Sequence, residues 1–241
     1  MALLEVQKLS KHFGGLIAVA NNNFVVNQGE ILGLIGPNGA GKTTIFNLIS
    51  GFLRPDQGTI VYKGKEIQGL TPHEISRRGL MRTFQTAQAF PYMTTLQNVM
   101  VGGFMHDRNR KRVEKSALET LEFTGLVEQK EKKAENLTIG DSRRLEIAKA
   151  LAGRPSLLLL DEVMAGLNET EIAEAVELIK KIRDRGTTIF IVEHVMQAIM
   201  SLSDRIIVIN YGRQIAEGSP EKVAKDNRVI EAYLGEEYVI E

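Results

Sequence analysis

Gly36-Pro37-Asn38-Gly39-Ala40-Gly41-Lys42-Thr43-Thr44 follows the apolar run Ile31–Ile35 and leads into the helix-forming segment Thr44–Ser50. A buried strand that turns into a helix at Gly-x-x-x-x-Gly-Lys-Thr is the setting of a phosphate cradle. Glycines let the backbone wrap closely enough for its N–H groups to converge on an anion, and the following helix adds the positive end of its dipole at the same point. Lys42 is expected to place its ammonium on the β- and γ-phosphates of a nucleotide. The hydroxyl of Thr43 is expected to ligate a Mg²⁺ ion bridging them. The alternative for such a stretch is a glycine-rich turn that binds nothing, and the strand and helix on either side argue against it.

At 241 residues the chain can bury a large core, as one large domain or as a core with inserted subdomains. Lys plus Arg and Asp plus Glu number 30 each, so the net charge is zero and no global basic field marks a dedicated nucleic-acid binder. The absence of cysteine excludes disulfides and thiol metal sites and suits a reducing compartment. Met1–Phe13 has neither a long apolar core nor a cleavage site, and no segment holds 18 apolar residues in succession. Direct membrane insertion is therefore not expected, and membrane contact would come through partners.

Outward from the phosphate loop, residues 2–7 and 16–26 read as strands, with turns at Gly14-Gly15, at Asn21-Asn22-Asn23 and at Gln28-Gly29. Phe13 stands before that first turn, where its ring could stack on a purine base or pack in the core. Thr59–Tyr62 reads as a further strand, so an antiparallel layer should accompany the nucleotide core. Residues from Leu96 to Leu137 mix charges with the apolar positions Val113, Leu118, Leu121 and Phe123, as surface helices do. The basic run Arg108–Lys115 lacks interleaved aromatics and reads as a solvated face rather than a nucleic-acid or headgroup site. A second helix is expected over Leu137–Leu151, with Asp141 as its cap.

Leu157-Leu158-Leu159-Leu160-Asp161-Glu162 places two carboxylates after four bulky apolar residues. An uninterrupted apolar run suits a central parallel strand covered on both faces, and ligands bind at the carboxyl ends of such strands. Asp161 is thereby positioned to hold Mg²⁺ and Glu162 to orient the attacking water. Glu169–Arg185 has the apolar stripe of an amphipathic helix. Thr187–Glu193 is β-branched and strand-like, and it delivers His194 to the same sheet edge. There the imidazole is either structural or a hydrogen-bonder to the γ-phosphate. Arg205–Ile209, a turn at Tyr211-Gly212-Arg213 and Gln214–Ala216 read as a closing hairpin.

Taken together the chain resembles an ATP-binding cassette, the ATPase subunit of an ABC transporter, nearly end to end. The resemblance implies an α/β fold with a P-loop NTPase (RecA-like) core, an antiparallel β subdomain and an inserted helical subdomain at approximately 96–152, all within one domain over 1–241. By the same resemblance Phe13 is the base-stacking aromatic, Gly36–Thr44 the Walker A loop, and Gln85 the Q-loop glutamine that senses Mg²⁺ and the permease. Leu157–Asp161 is the Walker B strand, Glu162 the catalytic glutamate, Ala165–Asn168 the dimer-contacting loop and His194 the switch histidine. ATP and Mg²⁺ are the implied ligands. The signature usually read Leu-Ser-Gly-Gly-Gln is here Leu137-Thr138-Ile139-Gly140-Asp141. Thr138 keeps a hydroxyl and Gly140 a close backbone approach toward a second molecule's phosphate, while Ile139 adds bulk and Asp141 negative charge. Val163 replaces a frequent proline, and Asn168 a common aspartate.

The opening LLEVQKLSKHFGGLIAV, the stretch RTFQTAQAFPYMTTLQNVMVG, Ala165–Asn168 and the ending EAYLGEE resemble the branched-chain amino acid importer group. That implies transmembrane permease subunits, a second and non-identical ATPase subunit, a substrate-binding protein acting indirectly, and a position on the cytoplasmic face of the membrane. A groove near Gln85, with Pro91, Tyr92 and Met93 as apolar surface, is where a permease helix would dock. A lipid or lipopolysaccharide exporter uses a similar cassette. A non-transport relative acting on DNA or ribosomes fits less well, because this chain has one phosphate loop, no sustained heptads and no net charge.

Overall fold

A computed structural model describes residues 1–84 and 89–234. In chain order its elements are β1 (Ala2–Phe13), β2 (Leu16–Asn27), β3 (Ile31–Ile35), α1 (Lys42–Ile49), β4 (Gln57–Tyr62), β5 (Lys65–Glu66), α2 (Pro72–Arg77) and β6 (Leu80–Arg82). There follow α3 (Thr95–Gly103), α4 (Arg110–Phe123), α5 (Ile139–Ala152), β7 (Leu157–Asp161), α6 (Glu169–Asp184) and β8 (Thr188–Val192). Then α7 (Met196–Leu202), β9 (Arg205–Asn210), β10 (Arg213–Gly218), α8 (Pro220–Ala224) and α9 (Asn227–Leu234) complete the described chain.

The three apolar runs β3, β7 and β8 are buried along their whole lengths and lie at the centre of a six-stranded sheet of order β10-β9-β3-β8-β7-β6. All its pairings are parallel except the β9–β10 hairpin. Alternate residues face opposite sides, as the pleat requires. Leu32, Leu34, Leu157, Leu159, Phe190 and Val192 join a core with α1 and the second sheet, whereas Ile31, Ile35, Leu158, Leu160, Ile189 and Ile191 join one with α6 and α7. Phe190 couples the layers: its ring centroid is 5.0 Å from that of Phe46 on α1 and 5.6 Å from that of Phe24 on β2.

The second sheet is antiparallel, of order β2-β1-β4-β5. Here the expected turn at Asn21–Asn23 gives way to one continuous strand, β2, whose register with β1 is irregular at this point. Asn21 sits at φ 51°, and the Asn23 side-chain oxygen accepts from the Lys8 amide at 2.8 Å. The buried Asn22 amide donates to Gly212 O at 2.7 Å, tying this sheet to the β9–β10 turn. Asparagine tolerates the left-handed conformation and bonds locally, so a run of them serves a bulge as readily as a reversal.

Helices α3, α4 and α5 share a third core that includes Val99, Val113, Leu121, Leu145 and Ala148. The basic run at the start of α4 is exposed apart from Val113 and Glu114, and Arg112 pairs with Asp107. At the start of α5 the cap is Thr138 rather than Asp141: its hydroxyl accepts the Asp141 amide at 3.1 Å. A hydroxyl at N-cap with an acid three residues on satisfies the helix end better than the acid alone, because the acid then faces the positive dipole from the first turn.

Candidate nucleotide site

The turn between β3 and α1 is shaped by its glycines. Gly36 adopts φ 154°, and a Cβ there would stand 2.1 Å from Ile209 O. At Gly41, φ is 106° and a Cβ would stand 2.3 Å from Ala18 O. Neither position admits a side chain, so the backbone itself forms the wall. Lys42 is buried and curls back over the loop, donating to Gly36 O at 2.6 Å and Pro37 O at 2.9 Å. Burial pushes its pKa down, opposed by the charges of Glu162 and Asp161.

A cleft of about 430 Å³ opens beside this loop. Asn38, Gly39, Ala40, Gly41, Lys42, Thr43 and Thr44 line it, together with Phe13, Leu16, Ile17, Ala18, Glu162 and His194. Residues distant in sequence are thus gathered because β3, β7 and β8 run parallel and end on one edge of the sheet. Phe13 is 46% exposed and forms part of this wall, with no place in the core. Gly36 and Pro37 are buried behind the loop, and Gln85 lies outside the described residues.

The two carboxylates at the end of β7 differ. Asp161 is buried; one oxygen accepts from Arg82 at 2.7 Å, while Oδ1 is buried without a hydrogen-bond partner. Burial pushes its carboxyl up, with Arg82 pulling the other way. A buried carboxylate oxygen without a partner, next in sequence to Glu162 of the cleft that Thr43 also lines, fits the oxygen-donor chemistry of a hard cation. Glu162 occupies the left-handed region at φ 51°, a conformation that costs a non-glycine residue on the order of 1–3 kcal/mol. Its amide donates to Val192 O at 2.9 Å, which anchors the strained turn to β8. Its carboxylate then meets His194 Nε2 at 2.8 Å.

Thr138 and Gly140 are not part of this cleft. They lie at the start of α5, where a Cβ on Gly140 would stand 2.6 Å from Glu171 Oε1. Ile139 beside them is 62% exposed and neighbours Gly166. Two further residues near the site went unmarked in the sequence. Arg82 binds Asp161, and Glu193, buried at the end of β8, accepts the Met164 amide at 2.8 Å. Each is a single charge beside an apolar strand, and only the sheet order reveals its partner.

A phosphate-loop turn, two carboxylates and a histidine on one sheet edge, with an antiparallel layer and a helical insertion, describe a nucleotide-hydrolysing cassette. The profile of the ABC transporter family matches residues 19–165, more than half of the chain. This chain belongs to the ABC transporter family. A profile for the C-terminal part of branched-chain amino acid ATP-binding cassette transporters matches residues 213–239. The chain is 43% identical to the high-affinity branched-chain amino acid transport ATP-binding protein LivG of Escherichia coli K12, covering 97% of this chain and 98% of that protein. It is 34% identical to the lipopolysaccharide export system ATP-binding protein LptB of Haemophilus influenzae, covering 99% of each. Among solved structures, a nucleotide-free ATP-binding cassette from an ABC transporter superposes with a TM-score of 0.89 at 30% identity, covering 97% of this chain and 99% of that one. As a member of the family, the cassette binds nucleotide and hydrolyses ATP.

Proposed function

We propose that this cassette is the ATPase subunit of an importer of branched-chain amino acids, working at the cytoplasmic face of the membrane against transmembrane permease subunits. The observation that carries the proposal is the match of both the family profile and the separate C-terminal profile, together with near end-to-end similarity to the branched-chain transport protein of E. coli. The lipopolysaccharide exporter cassette is similar at lower identity, and it remains the second reading.

In this account the phosphate loop and Lys42 neutralise the β- and γ-phosphates, and Phe13 stacks on the base. Mg²⁺, when bound, would offset phosphate charge; the Thr43 hydroxyl, the Asp161 carboxylate and, by family resemblance, Gln85 would hold it. Glu162 accepts a hydrogen bond from the attacking water and orients it in line with the γ-phosphate. His194 Nε2, 2.8 Å from Glu162 Oε1, holds that carboxylate when no phosphate is bound, and its N–H is the donor we assign to the γ-phosphate once nucleotide enters. Thr138 and Gly140 lie apart from this chain's own cleft, which supports their use on the nucleotide of a second ATPase subunit, a non-identical one in the working heterodimer. A cleft of about 380 Å³ between α2, β6, α3 and α5, walled by Phe52, Pro72, Phe84, Val101 and Met105, suits an apolar permease helix. Pro91, Tyr92 and Met93, expected to form that surface, are not among its walls.

Tagged Glu162→Gln protein, recovered with ATP and Mg²⁺ from detergent-solubilised native membranes, should bring down two polytopic permeases and a second cassette, identified by mass spectrometry. The recovered complex should also engage a binding protein charged with leucine, isoleucine or valine. Recovery of envelope lipid-export components would favour the second reading, and ribosomal proteins or DNA without membrane proteins would overturn both.

A further inference from the structure

Arg82, the last residue of β6, has a side chain only 6% exposed and reaches four parts of the molecule at once. Nη2 donates to Asp161 Oδ2 at 2.7 Å, and Nη1 donates to Asn47 Oδ1 at 2.6 Å and Ser50 Oγ at 3.1 Å on and just after α1. The guanidinium carbon lies 5.1 Å from the Phe84 ring centroid, 5.7 Å from that of Phe46 and 6.0 Å from that of Phe52. Phe52 and Phe84 meet edge to face at 5.5 Å and, with Arg82 itself, wall the apolar cleft assigned above to a permease helix.

A planar guanidinium resists rotation within such a fork of hydrogen bonds and stacks on aromatic faces. It satisfies one oxygen of Asp161 and leaves Oδ1, the other, without a partner. Asp161 thus commits one oxygen to a guanidinium that is itself held by Asn47, by Ser50 and against three aromatic rings. We propose that Arg82 is a positioning residue through which the aromatic wall of the apolar cleft sets the orientation of the Asp161 carboxylate. An occupant that pressed on Phe52 or Phe84 would shift the guanidinium and with it the oxygen available to the cation. This rests on the reading of Asp161 as a metal-holding residue. A buried ion pair that merely secures β6 to β7 would predict no link from the cleft to the metal.

The test uses the whole chain with Mn²⁺ and ADP as probes. Mn²⁺ affinity in the presence of ADP is read by electron paramagnetic resonance, ADP affinity without metal by a fluorescent analogue, and folding by the melting temperature. Phe52 is 52% exposed, so Phe52→Ala should fold even where Arg82→Lys does not. Both variants should weaken Mn²⁺ by more than twofold while metal-free ADP affinity stays within twofold. The double variant should be no worse than Arg82→Lys alone, because Phe52 acts through Arg82. Mn²⁺ affinity within twofold of the parent in Phe52→Ala, additive losses in the double variant, or a parallel fall in metal-free ADP affinity would each overturn the relay. Failure of the parent chain to bind ADP at all would instead sink the nucleotide reading on which it stands.

Discussion

His194 Nε2 stands 2.8 Å from Glu162 Oε1, and the backbone of Glu162 is held at φ 51° by a hydrogen bond from its amide to Val192 O. Strand β8 therefore places both partners: Val192 fixes the turn that carries the glutamate, and the histidine lies two residues further on. The strain at Glu162 is offset by this anchoring, so the carboxylate is directed before any water or phosphate arrives.

Glu162→Gln keeps the shape of that side chain but removes the carboxylate proposed to orient the attacking water. ATP affinity should remain within a few-fold of the parent, while turnover should fall by roughly 10²-fold or more, the scale of a lost general base. Phosphate release at saturating ATP and nucleotide titration measure the two separately, and unchanged turnover would move the water to another residue.

Lys42→Ala deletes the buried ammonium that bonds Gly36 O and Pro37 O. Nucleotide affinity should fall beyond tenfold, because a charge-assisted contact to phosphate is lost and two loop carbonyls lose their donor. Equilibrium binding of a fluorescent ATP analogue checks this, and an unchanged affinity would remove Lys42 from the site.

Glu193 makes folding pH-dependent. Burial is the main cause that pushes its carboxyl up to about 7 from 4.5; Glu162 adds to the rise, while the Met164 and His194 amides and Arg143 oppose it. Between those two values the folded chain keeps a proton that the unfolded chain has released, so stability declines as pH rises through this window, by on the order of 3 kcal/mol. Below the lower value the effect vanishes. Glu193→Gln should flatten this component, so that its melting temperature relative to the parent is higher at pH 8 than at pH 5. An equal difference at both pH values would contradict the assignment.

Asp141 faces the start of α5 from its first turn, where a second molecule's phosphate would approach. Asp141→Gln removes that charge and should strengthen ATP-dependent association of the Glu162→Gln background, read by sedimentation velocity. No change would show that charge at this position does not limit pairing.

The strands that build the sheet edge are legible in the sequence because β3, β7 and β8 are apolar over most of their length, as burial on both faces demands. The Gly36–Thr44 turn and the carboxylates of Asp161 and Glu162 lie at the ends of those strands, where the sequence puts them. Asn21–Asn23 reads as a turn but forms a bulge, since an asparagine that tolerates the left-handed region, as Asn21 does, serves both alike. Asp141 reads as a cap in the sequence because side-chain type alone does not distinguish it from Thr138 three residues earlier. The partners of Arg82 and Glu193 lay beyond sequence reach: Arg82 meets Asp161 because β6 pairs with β7, and Glu193 meets Met164 because β7 pairs with β8. Neither pairing is encoded near the residue itself.

The most direct measurement is ATP-dependent uptake of labelled leucine into proteoliposomes that contain the co-purified permeases, the partner cassette and this chain, with the binding protein outside the permeases' substrate face. Uptake should require ATP, persist with the parent chain and drop to background with Glu162→Gln. Leucine movement indifferent to ATP and to that substitution, or ATP turnover with no amino acid moved, would contradict the account.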